Sequence, residues 1–165
     1  MLTTFNNFQT ENTFSIASED ELVQSFRLRD QKKLVLPAQL KFPVNVRSYF
    51  TWREPSNVYT YLVFKQPGWD LPKGVVFKRL NAHGDQPAGG VCSWCHAYGS
   101  SEEITTLGLT VNAELSFAYI LCHDLRCIEK IEEASNLSSK SSGKAISQLY
   151  YRMGQLFEGL IQHKL

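Results

Sequence analysis

"ILCHDLRC", residues 120–127, sets two cysteines five positions apart where an apolar, strand-like run gives way to helix-forming sequence. The other two cysteines of the chain lie upstream in "VCSWC", residues 91–95, so all four belong to one pattern, C-x2-C-x26-C-x4-C. A C-x2-C on a turn lets two thiolates and their backbone N–H groups fold around one ion, which is half of a tetrahedral zinc site. The second pair spans a corner. With Cys122 on the last residue of a strand and Cys127 in the first turn of a helix, the x4 spacing lets both sulfurs face the knuckle. The helix N-terminus then favours the Cys127 thiolate through its free N–H groups and its dipole.

Knuckle, hairpin, then a helix supplying the final ligands is the order of a treble-clef zinc finger. Four thiolates leave no open position for water, so one zinc held by Cys92, Cys95, Cys122 and Cys127 is structural. Its binding energy, on the order of 10 kcal/mol in small zinc domains, would be a large share of the stability of the fold. Rival uses fit less well. A thioredoxin-type centre needs its C-x-x-C to open a helix, whereas "HAYGSSEE" after Cys95 reads as a loop. A plant-type iron–sulfur cluster has the two spacings in the opposite order. His96 and His123 each adjoin a cysteine and could replace one as a ligand, but they read better as neighbours of the metal. His83 in a loop and His163 at the C-terminus take no role.

The totals agree with a soluble metal domain. The 165 residues suit one globular unit, the net charge is +1, and acidic and basic residues are interspersed, unlike the basic stripe of a phosphate-gripping protein. "MLTTFNNFQTENTFSIASEDE" lacks a basic n-region and an unbroken apolar run, so we expect neither a signal peptide nor a membrane span, and a cytoplasmic location. In that reducing compartment, paired cysteines point to metal sooner than to disulfides.

Residues 1–17 read as polar and irregular, after which Ser18-x-x-Glu21 forms a capping box for a short helix carrying Leu22, Val23 and Phe26. Residues 30–50 read as extended chain with turns, and "WREPSN" as a turn. "VYTYLVF" (58–64) and "VVFKRL" (from Val75) predict a hairpin, and "NAHGDQPAGG" (81–90) predicts a loop leading to the first cysteines. "ITTLGLTV" and "LSFAYIL" predict two strands joined across Asn112–Glu114. Asp124 is an N-cap candidate for a helix from Leu125 to about Ala134, with Ile128 and Ile131 inward. "SNLSSKSSGK" reads as a flexible linker. From 144 to 162, Ile146, Leu149, Tyr150, Met153, Leu156, Phe157, Leu160 and Ile161 recur at helical spacing. The expected fold is α+β: an antiparallel or mixed sheet, a treble-clef zinc finger and a long C-terminal helix. Residues 1–40 are expected as an N-terminal extension with one short helix, and 41–165 as a single zinc-binding unit.

"YFTWREPSNVYTYLVF", "GGVCSWC" and "YILCHDLRC" followed by a helix resemble the C-terminal treble-clef domain of the elongation-factor-G-binding proteins, the family of the fusidic-acid resistance proteins. The resemblance runs from about Phe42 to the end, roughly three quarters of the chain, and is most specific at C-x-D-L-x-C. It implies that Cys92, Cys95, Cys122 and Cys127 take the places of the family's zinc ligands. It also implies a non-enzymatic role, docking on elongation factor G, which in the resistance members frees the factor from stalled ribosomes. Those members carry an N-terminal helical bundle; here about forty residues with one short helix stand in its place, as in a standalone version of the domain.

Trp94, between two metal-committed cysteines, is expected to point outward as an interface anchor, with Tyr119 and Arg126 joining it in one patch. No nucleophile–base constellation marks an enzyme: Asp124 serves as a cap, Glu102 and Glu103 sit on a polar turn, and "SSGK" (141–144) has Ser138 and Ala145 where a phosphate loop needs Gly and Ser or Thr. The alternative reading is a ribosomal RNA-binding zinc finger using Lys73, Lys78, Arg79 and Arg126 with aromatic stacking, which the near-neutral charge disfavours.

Overall fold

The computed structural model describes residues 12–80 and 90–162. In chain order the elements are β1 (Phe14–Ile16), α1 (Glu19–Gln24), α2 (Leu28–Gln31), β2 (Val44–Val46), β3 (Phe50–Arg53), β4 (Tyr59–Phe64), β5 (Lys73–Arg79), β6 (Gly90–Val91), β7 (Tyr98–Gly99), β8 (Ile104–Thr110), β9 (Ser116–Cys122), α3 (Cys127–Ser138) and α4 (Gly143–Gln162). The fold is α+β.

The frame is an antiparallel sheet of order β3-β4-β5-β8-β9. In β4 the β-branched and aromatic run "TYLVF" is buried throughout, because both sheet faces are covered there and alternation with polar residues is not required. On one face Leu62, Phe64, Val75, Phe77, Leu107, Leu109 and Leu121 meet α4. On the other, Tyr61, Val63 and Val76 meet Ile16, Leu22, Phe26 and Val46.

α4 follows its periodicity, burying Ile146, Leu149, Tyr150, Met153, Leu156, Phe157 and Leu160. Phe157 stacks on Phe64 and meets Trp69 edge-on. Ile161, expected inward, is half exposed at the helix end.

Ser18 caps α1 as expected: its hydroxyl accepts the Glu21 N–H at 3.2 Å, while the Glu21 carboxylate takes the Ala17 N–H at 2.6 Å. Leu22 and Phe26 are buried and Val23 is half-buried. The segment before it is ordered rather than irregular, for β1 pairs antiparallel with β2, Phe14 opposite Val46. Residues 30–50 contain the last residues of α2 and all of β2, and β3 takes in Trp52 and Arg53, which read as turn. Trp52 stacks on Tyr61 with ring centroids 4.8 Å apart. These strands are three or four residues long, too short to display a period, and β1 finds its partner some thirty residues downstream. Arg27 then pins this segment to the β8–β9 turn. Its guanidinium pairs with the buried Asp30 at 2.7 Å and donates to the carbonyls of Thr110 and Val111 at 2.6 and 3.0 Å.

Most of the loop expected at 81–90 lies outside the described residues, as do His83 and His163; Gly90 opens β6. The Ser-rich linker is shorter than its composition suggests. α3 continues to Ser138, whose hydroxyl bonds the Ala134 carbonyl at 2.9 Å, and Ser139 ends it in the left-handed region at φ 56°. A serine that bonds back to the preceding turn is tolerated at a helix end.

Candidate metal centre

β6 and β7 pair through Gly90 opposite Gly99 and Val91 opposite Tyr98, closing a two-stranded hairpin around Cys92–Ala97. Inside it the Cys92 N–H donates to the Ala97 carbonyl and the His96 N–H to the Cys92 carbonyl, both at 2.9 Å. His96 adopts φ 61° to complete the turn. The knuckle is fastened to the sheet edge where the Ser93 N–H donates to the Ile120 carbonyl of β9 at 2.8 Å. Cys122 is the last residue of β9 and Cys127 the first of α3, as the spacing predicted.

The corner between them is built differently from expectation. Asp124 is not the N-cap, and the helix does not begin at Leu125. Leu125 takes φ 54°, and α3 starts at Cys127 with no side-chain cap on Arg126. The left-handed Leu125 turns the chain so that both sulfurs face the knuckle. Asp124 closes a local turn, accepting the Arg126 N–H at 3.0 Å and facing Lys130 Nζ at 3.2 Å. The capping work falls to Tyr49, from the far edge of the sheet. Its hydroxyl donates to the Leu125 carbonyl and accepts the Ile128 N–H at 3.4 Å. Burial, with Cys127 nearby, holds this phenol well above the usual tyrosine range, so it stays a donor. Nothing near Tyr49 in sequence could have announced the role, since Leu125 lies 76 positions away.

The four sulfurs lie within 4.8 Å of one another, with Cys92 to Cys127 at 3.8 Å and Cys95 to Cys122 at 3.5 Å. A zinc ion with sulfurs at about 2.3 Å requires tetrahedral edges of about 3.8 Å, so the group fits that ion. These separations are far longer than the roughly 2.05 Å of a disulfide. Cys92, Cys122 and Cys127 are buried and Cys95 half-buried. The Trp94 N–H points at Cys92 Sγ from 3.4 Å.

Hydrogen bonds from Cys122 and Cys127 pull the Cys92 and Cys95 thiols below the usual cysteine range. Cys127 is pushed far up by Cys122, Cys92 and Cys95 and by burial. For Cys122 a hydrogen bond with Cys127 pulls down, but Cys92 and Cys95 outweigh it and the thiol ends raised.

Neither histidine belongs to the cluster. His96 is exposed. His123 is buried, and burial, then Arg53 and Arg79, depress its imidazole.

Trp94 does not point outward. It is 4 % exposed, edge-on to Phe77, and Arg152 of α4 donates to its carbonyl at 2.7 Å. Only the neighbouring sulfurs are committed to the metal; the indole is free to fill the space between knuckle and sheet. Tyr119 is half-buried against the same Phe77 and against Phe117. Trp94 and Tyr119 therefore meet through the core rather than in a surface patch, whereas Arg126 is exposed beside Glu129 at 3.3 Å. The exposed apolar side chains of the knuckle are Val91 and Tyr98, with Ile120 of β9 nearby.

The model of the FBP C-terminal treble-clef zinc-finger family matches residues 19–160, which takes in α1 and α2 as well as the zinc finger. No curated protein sequence matches the chain significantly. Among solved structures, that of the fusidic acid resistance protein FusC superposes with a TM-score of 0.51 at 19 % identity, over 78 % of this chain and 57 % of FusC. The chain thus corresponds to little more than half of FusC, and the likeness is one of fold. Among the described residues no helix is long and apolar enough to cross a membrane. With a matching family model over most of its length and four clustered thiols suited to one structural zinc ion, the chain belongs to the FBP C-terminal treble-clef zinc-finger family.

Proposed function

We propose that this protein is a zinc-stabilised binding module that docks on translation elongation factor G and promotes its release from the ribosome, with Cys92, Cys95, Cys122 and Cys127 as the zinc ligands. The family match across residues 19–160 carries the reading, and the fold shared with a fusidic acid resistance protein supports it. A four-thiolate site is closed to water and substrate, which moves function from the metal to the surface around it. Next to the knuckle that surface offers Tyr98, 79 % exposed, with Val91 and Ile120, each 50 % exposed, and Arg126 beyond. An aromatic side chain held out on a rigid, metal-locked turn loses little freedom on binding and suits an interface anchor.

The test is co-purification with elongation factor G from the same cell, zinc content being measured on the same sample and Cys122→Ser serving as control. A complex with one zinc per chain that is lost in the variant supports the proposal. Ribosomes stalled with fusidic acid should then release the factor when the protein is added. Zinc without a complex would remove the partner and leave the fold.

A further inference from the structure

β9 is the last strand of the sheet, and its outer edge follows from the ladder on its inner side. The Val111 N–H donates to the Leu115 carbonyl at 2.9 Å and the His123 N–H to the Glu103 carbonyl at 2.8 Å, so the odd-numbered residues from Leu115 to His123 turn their backbone groups toward β8. Ser116, Ala118 and Ile120 turn theirs away. Among the described residues, one bond reaches this edge between 116 and 120, from the Ser93 N–H of the knuckle to the Ile120 carbonyl at 2.8 Å. The N–H and C=O groups of Ser116 and Ala118 face outward. Edge strands are usually guarded by charge, proline, a bulge or shortness. β9 has none of these guards: its seven residues, SFAYILC, pair with β8 in unbroken register. The opposite edge strand, β3, is four residues long, carries Arg53, and has its Trp52 held by the Val35 carbonyl at 2.9 Å.

We infer that a partner protein binds at the free edge of β9, an extended segment of it adding to the five-stranded sheet as a further strand beside the zinc knuckle. The inference rests on the binding-module reading and states how such a module takes hold. Outward N–H and C=O groups on alternate residues match the repeat of another extended backbone. The Ser93 bond is the first rung of that addition, made by the chain itself. Guest side chains opposite Phe117 and Tyr119 fall on the α4 face, where these two half-buried rings stand edge-on with centroids 6.4 Å apart, so apolar residues at alternate positions of the guest fit there. On the other face Ser116 and Ala118 are exposed and small, and leave the guest room. A second copy of this chain fits less well. Two β9 strands paired about a two-fold axis at Ala118 or Phe117 would bring Ser116 or Glu114 of one copy against Ile120 of the other, where Ser93 already sits.

The experiment titrates elongation factor G into zinc-loaded wild type, Ala118→Pro and Ala118→Ser, and follows amide exchange residue by residue in free and bound wild type. In the free protein Phe117 and Tyr119 should be protected while Ser116 and Ala118 exchange fast. In the complex Ser116 and Ala118 should slow by about tenfold or more. Ala118→Pro removes an N–H that no described residue uses, and proline is tolerated at such an edge but cannot donate, so the complex should weaken by about tenfold or more. Ala118→Ser keeps the N–H and should bind within about twofold of wild type. The inference is overturned if elongation factor G binds while Ser116 and Ala118 still exchange fast, or if Ala118→Pro binds like wild type. Equal losses in Ala118→Pro and Ala118→Ser would place the contact on side chains and sink it as well. Protection that grows with the concentration of the protein alone, with a doubled mass in sedimentation, would make a second copy the occupant and overturn the partner. Should Ala118→Pro fail to fold or to hold zinc, exchange in the wild type decides. No complex with the wild type would instead overturn the binding-module reading, and this inference with it.

Discussion

Tyr49, just ahead of the sheet's outer strand, holds the beginning of α3: its hydroxyl donates to the Leu125 carbonyl and accepts the Ile128 N–H. One side chain thereby satisfies backbone groups on both sides of Cys127, whose sulfur must be aimed. Tyr49→Phe keeps the ring and strands a buried carbonyl and an N–H. The expected cost is about 1–3 kcal/mol by denaturant titration of the zinc-loaded protein, with faster zinc loss to chelator.

Zinc removal should be the largest single perturbation. The knuckle meets the sheet at the Ser93–Ile120 hydrogen bond and where Trp94 packs on Phe77, while α3 is joined to it through the corner at Cys122. Cys127→Ser, or chelation of the wild type, should abolish metal binding and lower the thermal midpoint sharply, given binding on the order of 10 kcal/mol. Hydrogen exchange should show protection lost first at 90–99 and 122–131, with β4 and β5 the last to exchange.

Zinc affinity should fall on acidification, and the direction follows from the thiols. Cys122 and Cys127 are raised above the usual cysteine range, so without metal they hold their protons at neutral pH. Zinc must displace them, and added protons compete. Titration calorimetry in buffers of different ionisation enthalpy should show protons released as zinc binds.

Trp94→Ala and Tyr98→Ala should separate packing from partner binding. Trp94 is buried against Phe77, and its truncation should cost roughly 3–5 kcal/mol of stability. Tyr98 is exposed, so its truncation should leave stability within about 0.5 kcal/mol. If the knuckle surface is the contact with elongation factor G, Tyr98→Ala should weaken that complex by about 2 kcal/mol, as at an interface anchor. Unchanged affinity in a binding titration would move the contact elsewhere.

Arg27→Ala should destabilise by about 3 kcal/mol in thermal or chemical unfolding, because it leaves Asp30 buried and unpaired, removes the guanidinium donor to the Thr110 carbonyl and leaves Val111 with Arg29 alone.

The parts of the molecule legible in the sequence are those governed by local chemistry. Four cysteines at metal spacing, the long strands β4, β5, β8 and β9, and the apolar stripe of α4 each carry their signal within a few residues. The illegible parts depend on partners far along the chain. β1 and β2 have three residues apiece and gain meaning only by pairing with each other. Asp124 has the chemistry of an N-cap, but the need to aim two sulfurs put Leu125 in the left-handed region and delayed the helix. Trp94 seemed destined for the surface because its neighbours were committed; no local rule reveals that Phe77 and Arg152 enclose it.

The three tryptophans of this chain stand at three different seams. Trp52 lies in the aromatic cluster beneath the N-terminal segment, Trp69 between the sheet and α4, and Trp94 between the knuckle and the sheet. Each seam therefore contains its own native fluorophore. Variants keeping one indole at a time would report whether the molecule comes apart in a single step or releases its zinc finger while the sheet and its helix still glow as folded.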